Sequence, residues 1–296
     1  MQKSQFRKPR RPGQKTAHAY FMILPMFILA VGFVYYPFFR TIIESFSLVN
    51  FRGQITGFAG LENYRYLFSR REFATAIKNT LFLSFINVPI TVFITLSLAW
   101  LCNRKGPVPA VMQTAFALPM AVSMSSIALI FKVLLNPTVG YVNYALHLNI
   151  GWLTDRHYAM PSILILTVWM GIAFNFLLFL SAFKAIPDEI VESAQLEGAG
   201  SATILFKIQL PLVSPTMLYV VCTNMIQAMM TSGPILILTQ GGPARSTTTL
   251  IYFMYTSGYS SGNYSLAACV SIITFLLTLT FTLLLFKTER GRVYYQ

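Results

Sequence analysis

The side chains of this 296-residue chain that could do chemistry are few, and their spacing excludes most of it. His18, His147 and His157 lie far apart, in or near loop-like segments, with neither zinc spacing nor a paired nucleophile and base. Cys102, Cys222 and Cys269 each fall inside an apolar stretch, so no disulfide framework or metal-ligand spacing is available and all three read as buried apolar residues. No G-x-x-x-x-G-K-[ST] occurs: Gly13-Gln14-Lys15-Thr16 lacks the loop, and Gly198-Ala199-Gly200 does not complete a dinucleotide fingerprint. The chain is expected not to be an enzyme and to hold no cofactor or metal of its own.

Two groups of residues remain. The first is an acidic run, Ile186-Pro187-Asp188-Glu189-Ile190-Val191-Glu192-Ser193-Ala194-Gln195-Leu196-Glu197-Gly198-Ala199-Gly200-Ser201. Pro187 suits a first helical position, Asp188 and Glu189 suit the positive end of a helix dipole, and Gly198 suits the residue past a helix end. Ser201 then suits the cap of a second helix running to Pro211, giving helix, glycine turn, helix. On the first helix Pro187, Ile190, Val191, Ala194 and Gly198 share one side, while Glu189, Glu192 and Leu196 share the other. One face can pack on its own domain and the other can offer acids to a partner.

The second group is a polar stripe in an apolar setting: Asn224, Gln227 and Thr231 stand at i, i+3 and i+7. Asn175, beside Gly171 and Phe174 on another apolar segment, could face it, and amides with an aromatic ring suit hydroxyl-rich solutes with CH faces. Interhelical hydrogen bonding that holds a bundle together is the other reading of the same residues, and Asn87 is assigned to it.

The elements that must carry these groups are set by composition. Hydrophobic residues make up 55% of the chain and charged residues 10%, with a mean hydropathy of +0.60, against about 25% charged residues in soluble domains. So much apolar surface needs lipid. The net charge of +13 is spread between long apolar runs rather than gathered on one face, so it fits a membrane surface and no nucleic-acid partner is expected. The basic start followed by an apolar run could imitate a signal peptide, but that run continues past Gly32 and is itself long enough to span.

Windows free of Asp, Glu, Lys and Arg predict an all-α polytopic membrane protein with six spans, at about 17–44, 76–103, 107–132, 158–183, 213–238 and 264–287. A basic tail covers residues 1–16, and one transmembrane domain covers 17–296. The fifth span tolerates a break near Pro234; residues 133–154 read as a loop with a short surface helix, and Ser257-Gly258 with Ser260-Ser261-Gly262-Asn263 read as turns. With both termini cytoplasmic, thirteen of the 22 Lys and Arg fall on the cytoplasmic side, led by Lys3, Arg7, Lys8, Arg10, Arg11 and Lys15. Residues 184–212, with the acidic run, then form a cytoplasmic loop.

Glu192-x-Ala194-x-x-Glu197-Gly198-Ala199, followed by Phe206, Ile208, Leu210 and Pro211, resembles the EAA loop of binding-protein-dependent ABC importer permeases of the type I fold, particularly the maltose-permease-F-like sugar branch. Ile23-Leu24-Pro25, Leu61-Glu62-Asn63-Tyr64, Lys78-Asn79-Thr80-Leu81 and Leu238-Thr239-Gln240-Gly241-Gly242-Pro243 extend the resemblance along nearly the whole chain. Ser193 and Glu197 depart from the usual Ala and Asp of the family but keep size class and charge. The resemblance implies a permease that translocates a sugar or oligosaccharide across the cytoplasmic membrane of a bacterium or archaeon. It implies a second, related permease subunit in a heterodimer, two ATPase subunits that carry ATP and Mg, and an extracellular solute-binding protein. Glu192, Ala194, Glu197, Gly198 and Ala199 would couple to the ATPase: Glu192 as a charge contact, Ala194 as a close-packing position, Gly198 as the turn. An ABC permease for glycerol phosphate, or an ion-coupled carrier, is the alternative; against the carrier, every Asp and Glu lies outside the span centres, Glu44 sitting with Arg40 at an outer helix end.

Overall fold

The computed structural model describes residues 12–104 and 106–289. The basic positions Lys3, Arg7, Lys8, Arg10, Arg11, Lys105, Arg290 and Arg292 lie outside the described residues. Among those described, five helices are long and apolar enough to cross a membrane, and a bent pair of shorter helices makes a sixth when the two are taken together as one span.

The first span, Tyr20–Ser45, widens into a π-turn at Val31–Tyr35. Pro37 follows after Tyr36 and has no N–H to give the preceding turn, so a local register change is a way to continue the helix past it. This span touches the rest of the chain through its outer half, with the Phe38 and Phe275 rings edge to face at 5.2 Å. The second span, Arg71–Cys102, is the hub. Its buried side is a row of small and polar residues, Thr80, Ser84, Asn87, Thr91 and Thr95, which lets the fourth span, Ala159–Lys184, approach closely. At Gly171 of the fourth span an added Cβ would stand 2.9 Å from the Thr91 methyl, so the contact depends on glycine. Toward one end of this pair Phe176, Phe179 and Phe183 pack with Ala99, Cys102, Val213 and Val220.

Four sequence expectations are corrected. The third span is not one helix over 107–132: Pro107–Ala121 and Met124–Leu134 meet at a 100° bend. Pro119 disturbs the ladder there, and Ser123 caps the new helix by accepting the Ser126 N–H at 3.2 Å. The helix after the glycine turn does not stop at Pro211. It runs from Ser201 through a π-turn at Leu205–Gln209 into Leu210–Met229, the π-turn lying just ahead of Pro211 as the other lies ahead of Pro37, and Gly200 rather than Ser201 is its N-cap. Pro187 is likewise an N-cap, one position before the helix Asp188–Leu196. Finally, the stretch before the last span is not all turn: a short helix, Leu250–Tyr255, and a π-turn, Thr256–Ser260, precede Tyr264–Glu289.

The fifth span breaks after Met229 and resumes as Gly233–Leu238, as the Pro234 signal led one to expect. The loop after the third span holds the short helix Tyr141–Leu146, fastened by buried Asn143, which donates to the Ile150 carbonyl at 2.9 Å and accepts the Trp152 indole N–H at 2.7 Å. A two-stranded antiparallel hairpin, Ser47–Val49 with Ile55–Phe58, is an addition that the sequence reading lacked. All three cysteines are buried.

Candidate functional site

The polar residues of the second, fourth and fifth spans converge on a cavity of about 530 Å³. Its lining includes Asn87, Thr167, Gly171, Asn224, Gln227 and Thr231, with Met124, Met170 and Met230 supplying apolar wall. The stripe read from the sequence therefore faces one space, and Gly171 faces the same space from the fourth span. Phe174 and Asn175 do not line it: Phe174 is exposed elsewhere, and Asn175 is buried behind Asn224. Asn175 and Asn224 exchange amide hydrogen bonds at 2.9 and 3.0 Å, and Asn224 also donates to the Val220 carbonyl at 2.7 Å.

Gln227 differs from its neighbours. Among the described residues its side chain has no hydrogen-bond partner, and it is exposed toward the cavity. Among the described residues, no Asp, Glu, Lys or Arg lines this space. Its amides and hydroxyls can donate to or accept from a polar solute, but they cannot supply a counter-charge or a proton relay. Asn87, Thr167 and Ser232 were missed as lining residues. Asn87 donates to Thr167 at 2.8 Å across two spans, which agrees with its assigned bundle role, while the cavity gives it a second neighbour. The 4-3-4-4 spacing of Thr80, Ser84, Asn87, Thr91 and Thr95 is the helical signal that could have placed it on the inner face.

Above this cavity the short motifs singled out in the sequence act as fasteners. Asn63 donates to the Ser45 and Ser47 carbonyls at 3.1 and 3.0 Å, and Tyr64 donates to the Ser45 hydroxyl at 2.8 Å, where burial pushes the phenol pKa upward. Asn79 donates to the carbonyls of Arg245 and Thr248 at 3.1 and 2.9 Å, and Thr80 accepts the Leu250 N–H at 2.8 Å. Thr249 donates to the Thr231 carbonyl at 2.8 Å, linking the loop to the cavity rim. Arg245 pairs with Glu72, which also meets Arg70 at 3.1 Å. Gly241, at φ +79°, presses on Thr248 and Tyr252, leaving no room for a side chain.

At the opposite end of the second span stands the acidic helix Asp188–Leu196. Its end is a complete Schellman motif: the Gly198 N–H donates to the Gln195 carbonyl and the Ala199 N–H to the Ala194 carbonyl, both at 3.0 Å. Gly198 sits at φ +84° with open space around its Cβ position, so backbone handedness rather than crowding selects glycine. Val191, Ala194 and Ala199 are partly covered, whereas Glu192, Glu197 and Gly198 are exposed, and Leu196 is 90% exposed. Phe206, on the following helix, is 67% exposed. No cation among the described residues pairs with Glu192 or Glu197, so this surface presents free carboxylates beside two bare apolar side chains.

Residues 91–290 match the family described as binding-protein-dependent transport system inner membrane component. The sn-glycerol-3-phosphate transport system permease protein UgpA of Pectobacterium atrosepticum is 32% identical over 281 residues, covering 94% of this chain and 95% of that protein. The protein of the same name from Yersinia pestis is 31% identical over 293 residues, covering 97% and 99%. Among solved structures, a chain of a bacterial alginate ABC transporter in complex with an alginate pentasaccharide-bound periplasmic protein superposes with a TM-score of 0.81 at 24% identity, covering 94% of this chain and 96% of that one. A chain of the inward-facing MetNI methionine ABC transporter gives a TM-score of 0.57 at 16% identity, over 79% and 99%.

Proposed function

Given that the chain belongs to the family of binding-protein-dependent transport system inner membrane components, and so is a multi-pass, non-catalytic permease subunit of an ABC-type importer for a polar solute, we propose that its solute is a small, hydroxyl-rich phosphate ester of the glycerol phosphate kind. The observation that carries this reading is the unpartnered Gln227 amide in a cavity of amides and hydroxyls where no described residue places a carboxylate to repel an anion. Asn87, Thr167, Gln227 and Thr231 can hydrogen-bond both glycerol hydroxyls and phosphoryl oxygens. The naming of full-length relatives as glycerol phosphate permeases supports the same solute over the neutral oligosaccharide of the maltose-like branch. A sugar is the second reading, favoured by the methionine wall, which suits the CH face of a pyranose ring.

The acidic helix Asp188–Leu196 is the ATPase coupling element in this reading, on the cytoplasmic side with both termini. Glu192 and Glu197 meet basic groups of the ATPase, and Leu196 and Phe206 fill apolar depressions beside them. A solute-binding protein delivers the solute from the other side, and a related second permease completes the pathway. The test is to purify the chain with its native partners into liposomes and measure ATP-dependent uptake of labelled glycerol phosphate and of maltodextrin, each with its binding protein. Uptake of glycerol phosphate alone supports the proposal; uptake of maltodextrin alone replaces it with the sugar reading, and uptake without ATP removes the importer assignment for this complex.

A further inference from the structure

Where the second span ends beside the acidic helix, Trp100, Asn103, Arg104, Val191, Gln195, Ser201, Ile204 and Gln209 enclose a second cavity of about 170 Å³. Gln209 is 8% exposed, lies in the π-turn Leu205–Gln209, and its side chain makes no hydrogen bond with any described residue. The Gln209 amide lines this cavity and can hydrogen-bond a group held there. Among the described residues, the other polar side chains of the wall are Asn103, Arg104, Gln195 and Ser201. Each can donate a hydrogen bond, one is a permanent cation, and none is an acid. The Arg104 guanidinium lies 5.9 Å over the Trp100 ring and meets no carboxylate among the described residues. A donor-rich wall with one unpaired guanidinium selects an oxyanion over a cation or a neutral polyol.

We propose that this cavity binds a phosphoryl group, carried either by an anionic phospholipid headgroup or by a soluble phosphate compound, and that the bound phosphate ties the acidic helix to the end of the second span. The wall draws Asn103 and Arg104 from one element, Gln195 from the acidic helix, and Ser201 and Gln209 from the helix after the turn. One anion can therefore bridge the three segments that must move together when an ATPase pushes on this end. The site is separate from the Gln227 cavity and does not depend on the identity of the solute.

The test uses the whole transporter, with its native partners and without ATP, in nanodiscs. Hydrogen exchange over residues 188–209 is compared in phosphatidylcholine alone, in phosphatidylcholine with phosphatidylglycerol, and in phosphatidylcholine with added inorganic phosphate. Slower exchange in the second condition identifies a lipid headgroup, and slower exchange in the third a soluble phosphate. In either case the protection is lost in Arg104→Gln and in Gln209→Leu, the first a surface change that keeps the fold if the second does not. Equal exchange in all three conditions, or protection that survives Arg104→Gln, overturns the proposal and leaves a water-filled cavity.

Discussion

The side-chain amides of Asn175 and Asn224 donate to each other across the fourth and fifth spans, at 2.9 and 3.0 Å, and so satisfy one another where lipid and apolar side chains cannot. Removing Asn224 leaves Asn175 buried and unpaired, and removing Asn175 leaves Asn224 with only its bond to the Val220 carbonyl. Asn175→Leu is expected to destabilise the bundle by about 1–2 kcal/mol, and the double change Asn175→Leu with Asn224→Leu by less than the sum of the single changes. Thermal unfolding of the purified complex checks this. Additive losses would show that the pair does not act as a unit.

Gln227 is expected to behave in the opposite way. Its side chain has no partner to lose, so Gln227→Leu should leave the unfolding temperature unchanged. If the amide meets solute, the same change raises the half-saturation concentration for uptake about tenfold, the loss of roughly one hydrogen bond to a charged group. Unchanged uptake kinetics would remove Gln227 from the solute path.

The contrast between these two residues shows what the sequence could and could not disclose. Helical spacing put Asn224, Gln227 and Thr231 on one stripe, and that face does border a single cavity. Spacing along one helix is silent about what stands opposite, so it could not tell that Asn175 would be spent on Asn224 or that Phe174 would point elsewhere. The long apolar helices followed from hydropathy because an apolar run has few alternatives in lipid. The bend in the third span did not follow, since hydropathy does not register a Pro119 and Ser123 break inside an apolar run. Nor did continuation of the helix through Pro211, because a π-turn can carry a helix past a proline that reads locally as a stop. The Gly198 turn was legible for a simpler reason: its cause, a left-handed residue after an acidic helix, is contained in adjacent residues.

At Gly198 handedness and bulk can be separated. A Cβ there would meet nothing within 4 Å, yet the φ of +84° is one that L-residues adopt at a cost of about 1–2 kcal/mol. Gly198→Val should therefore deform the Schellman end, and uptake should be lost while the amount of inserted protein is unchanged. Gly198→Asn should retain more uptake than Gly198→Ala despite its larger side chain, because asparagine tolerates the left-handed region. If activity instead falls in order of side-chain volume, contact with the partner rather than backbone conformation is what the glycine serves.

Asn79 offers a test of whether the outer fasteners reach the cavity. Its amide donates to two carbonyls of the loop before Leu250, those of Arg245 and Thr248, and the residue after Thr248, Thr249, donates to the Thr231 carbonyl at the cavity rim. Asn79→Ala frees both carbonyls, and hydrogen exchange over residues 239–250 should rise by an amount corresponding to about 1–2 kcal/mol. Asn79→Asp, which cannot donate when ionised, should be worse. Because Thr231 is tethered to this loop, both variants should also weaken solute uptake while leaving exchange over residues 188–209 unchanged. Faster loop exchange with wild-type uptake would confine Asn79 to local fastening and sever the outer loop from the solute path.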